Sequence, residues 1–85
     1  MSADDRPLID ILLPNLGADP VEVTVWFAQP GDHLYQGDRV VEVIASGATF
    51  DVPAPTTGTL TEQIVFPRDR VVSGQRLGSM RADPE

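Results

Sequence analysis

Apolar residues fall in short runs along this chain, and the runs alternate instead of turning with a helical period. Asp10 and Leu12 separate Ile9, Ile11 and Leu13, and Glu22 and Thr24 separate Val21, Val23 and Val25. A period of two puts successive side chains on opposite faces of a strand. Both segments are therefore expected as half-buried strands with these residues pointing inward. β-Branched and aromatic runs cover residues 8–13, 21–28, 39–45, 48–52, 59–66 and 76–80. Eight prolines and seven glycines interrupt the chain between them, too often for long helices. Short strands at regular spacing predict an all-β sandwich or barrel.

The interruptions have turn chemistry. Pro30-Gly31-Asp32 and Gln36-Gly37-Asp38 each supply an aspartate able to accept nearby backbone N–H groups. Ser46-Gly47 lies between two strand-like runs and reads as a tight hairpin tip. Pro53 and Pro55 cannot donate ladder hydrogen bonds, so the chain there leaves the sheet or follows its edge.

A repeat appears at an offset of 37 residues, where residues 30–40 lie over residues 67–77. Pro30/Pro67, Asp32/Asp69, Gly37/Gly74 and Arg39/Arg76 are identical, and Leu34/Val71 and Val40/Leu77 are conservative. Upstream, Val23 matches Leu60 and Phe27 matches Ile64. Two copies are too few for a solenoid. They predict two similar β-units related by a pseudo-twofold axis, burying their apolar faces against each other.

Composition narrows the chemistry. The chain has no cysteine, which removes disulfides, thiolate zinc sites and thiol catalysis. A single histidine, His33, cannot build a metal site alone. The net charge is −7, and nine of the thirteen acids but only two of the six basic residues lie in residues 1–55. Such a chain repels nucleic acid, whose binding rests on neutralising phosphates. No apolar run reaches membrane-spanning length, and the acidic start is unlike a signal peptide. The expected location is cytoplasmic. All six basic residues are arginine, a permanently protonated group that cannot stand in for lysine as an acylation site.

Four motifs in order carry a resemblance. They are Leu13-Pro14-Asn15-Leu16-Gly17, Trp26 shortly before Gly31-Asp32, Val52-Pro53-Ala54-Pro55-Thr56-Thr57-Gly58, and residues 67–77, with Arg68 where the motif has glycine. Together they make the chain similar to the lipoyl/biotinyl domain family, closest to lipoyl domains of bacterial 2-oxoacid dehydrogenase dihydrolipoyl acyltransferases. The resemblance implies a flattened barrel or sandwich of two antiparallel sheets with about eight strands. It also implies a modified lysine at a hairpin tip, to which a ligase attaches the swinging arm. Aligned on Val52-Pro53-Ala54-Pro55, Gly47 stands at the lysine position, Ser46 at that of the preceding aspartate, and Ile44 at that of a glutamate.

The domain is expected over residues 8–81, with flexible ends at 1–7 and 82–85. The resemblance without a carrier lysine implies a non-catalytic interaction or regulatory module of a 2-oxoacid dehydrogenase-like assembly, holding no cofactor and no metal. Two other readings stay open: an accessory subunit of a carrier assembly whose modified lysine is on another chain, and a repurposed adaptor domain. The acidic half offers a face for a protein partner with a basic docking surface. Asp38, Glu42, Ser46 and Gly47 are the candidate partner-binding residues, and the chain alone is expected to be a monomer. Asp32 and Asp38 are expected to be structural turn residues rather than a calcium loop. Trp26 and Tyr35 are expected to fill the core, and His33 to face solvent.

Overall fold

The computed structural model describes residues 6–84. Among these described residues eight strands follow in order: β1 (Leu8–Leu12), β2 (Val21–Trp26), β3 (His33–Leu34), β4 (Arg39–Ala45), β5 (Ala48–Pro53), β6 (Gly58–Gln63), β7 (Arg70–Val71) and β8 (Arg76–Ala82). They form two antiparallel four-stranded sheets, ordered β1-β8-β6-β3 and β5-β4-β2-β7. Among the described residues no helix is long and apolar enough to cross a membrane. The fold is the expected all-β sandwich. Pro53 ends β5 on a sheet edge, where its missing N–H breaks no ladder bond.

The 37-residue offset is a physical symmetry. It carries β2, β3 and β4 onto β6, β7 and β8, and one sheet order onto the other. The turns repeat atom for atom: Asp32 Oδ2 accepts from the Gln29 N–H at 2.9 Å, and Asp69 Oδ2 from the Phe66 N–H at 2.8 Å. Asp38 Oδ2 accepts from Tyr35 N–H, and Gln75 Oε1 takes the same role for Val72. Across the sandwich, Trp26 Nε1–H donates to the Val65 carbonyl, and Gln63 Nε2 donates to that of Ala28. The two copies thus clasp each other through equivalent positions.

One side-chain cluster fills the space between the sheets, and half of its buried members are valine. Valine loses little rotamer freedom on a pleated surface, and each buried aliphatic side chain contributes about 1.5–3 kcal/mol. Two glycines mark close backbone approaches. A Cβ on Gly58 would collide with the Arg81 carbonyl, and one on Gly78 with that of Glu62.

The structure corrects the sequence expectations at several points. The ladder between β2 and β4 shifts between Val23 and Val25, and that between β6 and β8 shifts between Leu60 and Glu62. Each extra residue, Thr24 or Thr61, anchors its hydroxyl on the facing carbonyl of Glu42 or Ser79. Beyond the bulge the in–out parity reverses. Val25 therefore faces solvent at 42% exposure while Trp26 turns toward the core. Tyr35, expected inside, is 66% exposed, because it sits in the turn that Asp38 closes, where it packs edge-on against His33 with ring centroids 5.2 Å apart. β3 and β7 have two residues each, too few to show a period in sequence. At the C-terminal end β8 includes Ala82, and the Asp83 N–H donates to the Thr57 carbonyl. The ladder thus passes the expected boundary at 81. Residues 1–5 and 85 of the two expected flexible ends lie outside the described residues.

Candidate functional site

The β4–β5 hairpin is the feature to which the sequence pointed. Ala45 pairs with Ala48, leaving Ser46 and Gly47 as a two-residue loop. Their φ values are 51° and 78°. Positive φ at both central residues defines a type I′ turn, whose twist matches that of the flanking strands. A residue with a Cβ adopts the left-handed region less readily than glycine, so the turn favours glycine at position 47. Ser46, Gly47 and Ala48 are exposed. Beside the tip, Pro20, Val21, Glu22, Ile44 and Arg70 help line a shallow cleft of about 310 Å³.

This site can do little chemistry of its own. The Ser46 hydroxyl has no histidine beside it: His33, the only one in the sequence, lies on β3 of the other sheet, where its Nε2 is 2.8 Å from Asp83 Oδ2. Among the described residues no group of three or more His, Cys, Asp or Glu side chains is placed to hold a metal ion. Asp32 and Asp38 are occupied as turn acceptors.

The other candidate positions spread along one strand. Asp38 precedes β4, Glu42 lies at its middle, and Ser46-Gly47 cap its far end. At about 3.3 Å per residue, the eight residues from Asp38 to Ser46 span roughly 25 Å, so these positions do not converge on one pocket. Glu42 accepts the Thr24 hydroxyl on Oε1 at 2.7 Å. Directly across the ladder from Glu42 stands Asp51. Glu22, which pairs with Ile44 and Arg70, stands on the same outer face. Asp51 and Glu22 were not among the sequence candidates. The signal for Asp51 was present, because a two-residue tip at Ser46-Gly47 sets Asp51 opposite Glu42.

The biotin/lipoyl family model, described as "Biotin-requiring enzyme", matches residues 9–80. The chain belongs to that family. The domain is 32% identical over 79 residues to the dihydrolipoyllysine-residue succinyltransferase component of the 2-oxoglutarate dehydrogenase complex of Haemophilus influenzae, covering 91% of this chain and 19% of that protein. It is 30% identical over 70 residues to the acetyltransferase component of the pyruvate dehydrogenase complex of the same organism, covering 82% of this chain and 12% of the relative. The chain thus spans less than a fifth of these relatives. Among solved structures, the lipoyl domain of the 2-oxoglutarate dehydrogenase complex of Azotobacter vinelandii superimposes with a TM-score of 0.68 at 26% identity, over 85% of this chain and 94% of that one. Family domains of this kind are carrier units within enzyme complexes, not catalysts in themselves.

Proposed function

We propose that this domain is a lipoyl-type unit that carries no swinging arm. It acts as a non-catalytic interaction or regulatory module in an assembly of the 2-oxoacid dehydrogenase kind. The observation behind this reading is that the chain contains no lysine, so no side-chain amine is present to attack an activated lipoyl or biotinyl group. The type I′ tip supports it, since its backbone suits Ser46-Gly47 as they stand. What the domain keeps is the scaffold and its acidic outer surface, which suit recognition by a basic protein partner in the cytoplasm.

The test is intact-mass spectrometry of the domain after incubation with a lipoyl ligase or a biotin ligase, the matching acid and ATP. The mass should stay unchanged, while the double variant Ser46→Asp, Gly47→Lys gains the lipoyl increment. A lipoyl or biotinyl increment on any side chain of the native domain refutes the reading. Affinity capture from native extract then addresses the module itself. Recovery of a 2-oxoacid decarboxylase or dihydrolipoamide dehydrogenase supports it, and recovery of another acylated carrier moves the domain to the accessory role.

A further inference from the structure

The sandwich has four edge strands, and they are not equivalent. β3 and β7 have two residues each. On the β1 edge, the carboxylate of Asp10 has Arg76 at 3.9 Å. β5 differs. It runs straight from the tip to Pro53, with the extra residue of its ladder on β4. Because Ala45 and Ala48 close a two-residue hairpin, they form a hydrogen-bonded pair, and such pairs alternate along an antiparallel ladder. Phe50 and Val52 therefore bond to β4, while the backbone groups of Thr49 and Asp51 point away from it. Outside that ladder neither residue makes a backbone bond among the described residues.

The side chains along this edge have a definite chemistry. On the outer face Asp51 stands directly opposite Glu42, and like charges in that position repel. Among the described residues nothing bonds to the Asp51 carboxylate. On the inner face Phe50 pairs with the buried Val43, yet remains 38% exposed. Further along the strand, at Val52, a mainly apolar seam of about 280 Å³ lies between β1 and β5, lined by Ile11, Leu12, Pro14, Val52 and Pro55, with Asp10 as its one charged residue.

We infer that β5 is a strand-addition site for an extended protein segment that alternates cationic and apolar residues. Thr49 and Asp51 supply its backbone rungs. Residues of the segment facing outward meet Asp51 and Glu42, which select lysine or arginine. Those facing inward cover Phe50 and enter the seam, which selects aliphatic side chains. Charge decides against a second copy of this chain as the occupant, since each copy carries −7 and would place acid against acid at this edge. The inference rests on the reading of the domain as an interaction module and names the kind of partner that module takes.

The test uses a short synthetic peptide alternating valine and arginine, titrated into the domain with amide NMR and hydrogen exchange as readouts. Binding is expected at a Kd of about 0.1–1 mM, with new exchange protection at the Thr49 and Asp51 amides and weakening in high salt. Asp51→Lys should raise the Kd about fivefold or more, since it turns a favourable cross-strand pair into a repulsive one. Thr49→Pro removes an outward N–H without breaking a β4 bond and should abolish protection at Asp51. If that variant fails to fold, Asp51→Lys decides alone. Equal binding by an alternating valine–glutamate peptide, or by a peptide with its valines and arginines in separate blocks, overturns the proposal. So does binding that leaves the Thr49 and Asp51 amides unprotected. A ligase-modified native domain would refute the non-carrier reading without moving these amides, so the two failures are distinguishable.

Discussion

Gly47 can be replaced to ask whether backbone geometry alone explains the residue at the tip. Its φ of +78° lies in the left-handed region, and a Cβ built there meets no atom within 4 Å. Steric collision is therefore absent, and the cost of substitution comes from the backbone. A Cβ-bearing residue in that conformation costs about 1–2 kcal/mol. Replacing glycine also stiffens the unfolded chain, which returns about 0.4–1 kcal/mol. Gly47→Ala and Gly47→Lys should thus each destabilise the domain by about 1 kcal/mol. Gly47→Asn should cost much less, because asparagine tolerates positive φ. In a domain of this size about 1 kcal/mol corresponds to a fall in Tm of roughly 4–8 °C. Urea denaturation and calorimetry on the three variants give the comparison, with unchanged m-values as the check that each variant exposes the same surface on unfolding. Equal costs for asparagine and alanine would refute the backbone argument. So would a lysine variant weaker than the alanine variant by more than about 1 kcal/mol, since that requires side-chain contacts the open tip does not have. A penalty of this size is small against a typical stability of about 5 kcal/mol or more. Folding therefore does not exclude a lysine at this tip.

The repeat supplies a second stability test at Arg68, which holds a φ of 79° where its counterpart Gly31 has 99°. Arg68 makes no side-chain bond among the described residues, so Arg68→Gly should raise stability by about 0.5–1 kcal/mol, read as a higher Tm, and a lower Tm contradicts the strain argument. Gly58→Ala should lower stability by about 2 kcal/mol or more in urea denaturation, since the added methyl collides with the Arg81 carbonyl inside the ladder; a neutral result would mean that β6 and β8 separate easily. Asp38→Asn with Glu42→Gln keeps the acceptors for the Tyr35 N–H and the Thr24 hydroxyl while removing two charges. Capture of a basic partner from extract should fall with this pair and with added salt, but not with Arg68→Gln and Arg70→Gln; indifference to all of these would leave the acidic face a solubility feature.

Much of the fold could be read from the sequence, for physical reasons. Alternation marked Ile11, Leu13, Val21 and Val23 as inward, and all four are buried. The doubled Pro-x-Asp turns at 30–32 and 67–69 betrayed the symmetry because each aspartate repeats the same backbone bond. Val25 was misplaced because a bulge inserts one residue without any compositional mark, and threonine at 24 is as ordinary in a strand as in a bulge. Tyr35 was misplaced because an aromatic ring reads as core unless the turn that holds it outward is known. At the tip, Ser46-Gly47 announced the hairpin, but the sequence left the turn type open and with it the sign of φ at 47. The meaning of Asp51 comes from its neighbour across the ladder, Glu42, and emerges only when the two-residue tip at Ser46-Gly47 is used to count the facing pairs along the two strands.

The exchange of strands between the two repeat units has a consequence at the tip. Divided between Ser46 and Gly47, the chain yields one piece with β1 to β4 and another with β5 to β8. The pairings β1 with β8, β3 with β6, β4 with β5 and β2 with β7 all run between the pieces. Each piece keeps a single internal ladder, β2 with β4 or β6 with β8, and an isolated strand pair is marginal in water. Neither piece can close a sheet by itself, yet each supplies the strands the other lacks. The peptide bond at the tip serves chiefly to hold the two at a high effective concentration. The natural place to split this domain into two self-assembling fragments is therefore the same turn that in a carrier would hold the arm.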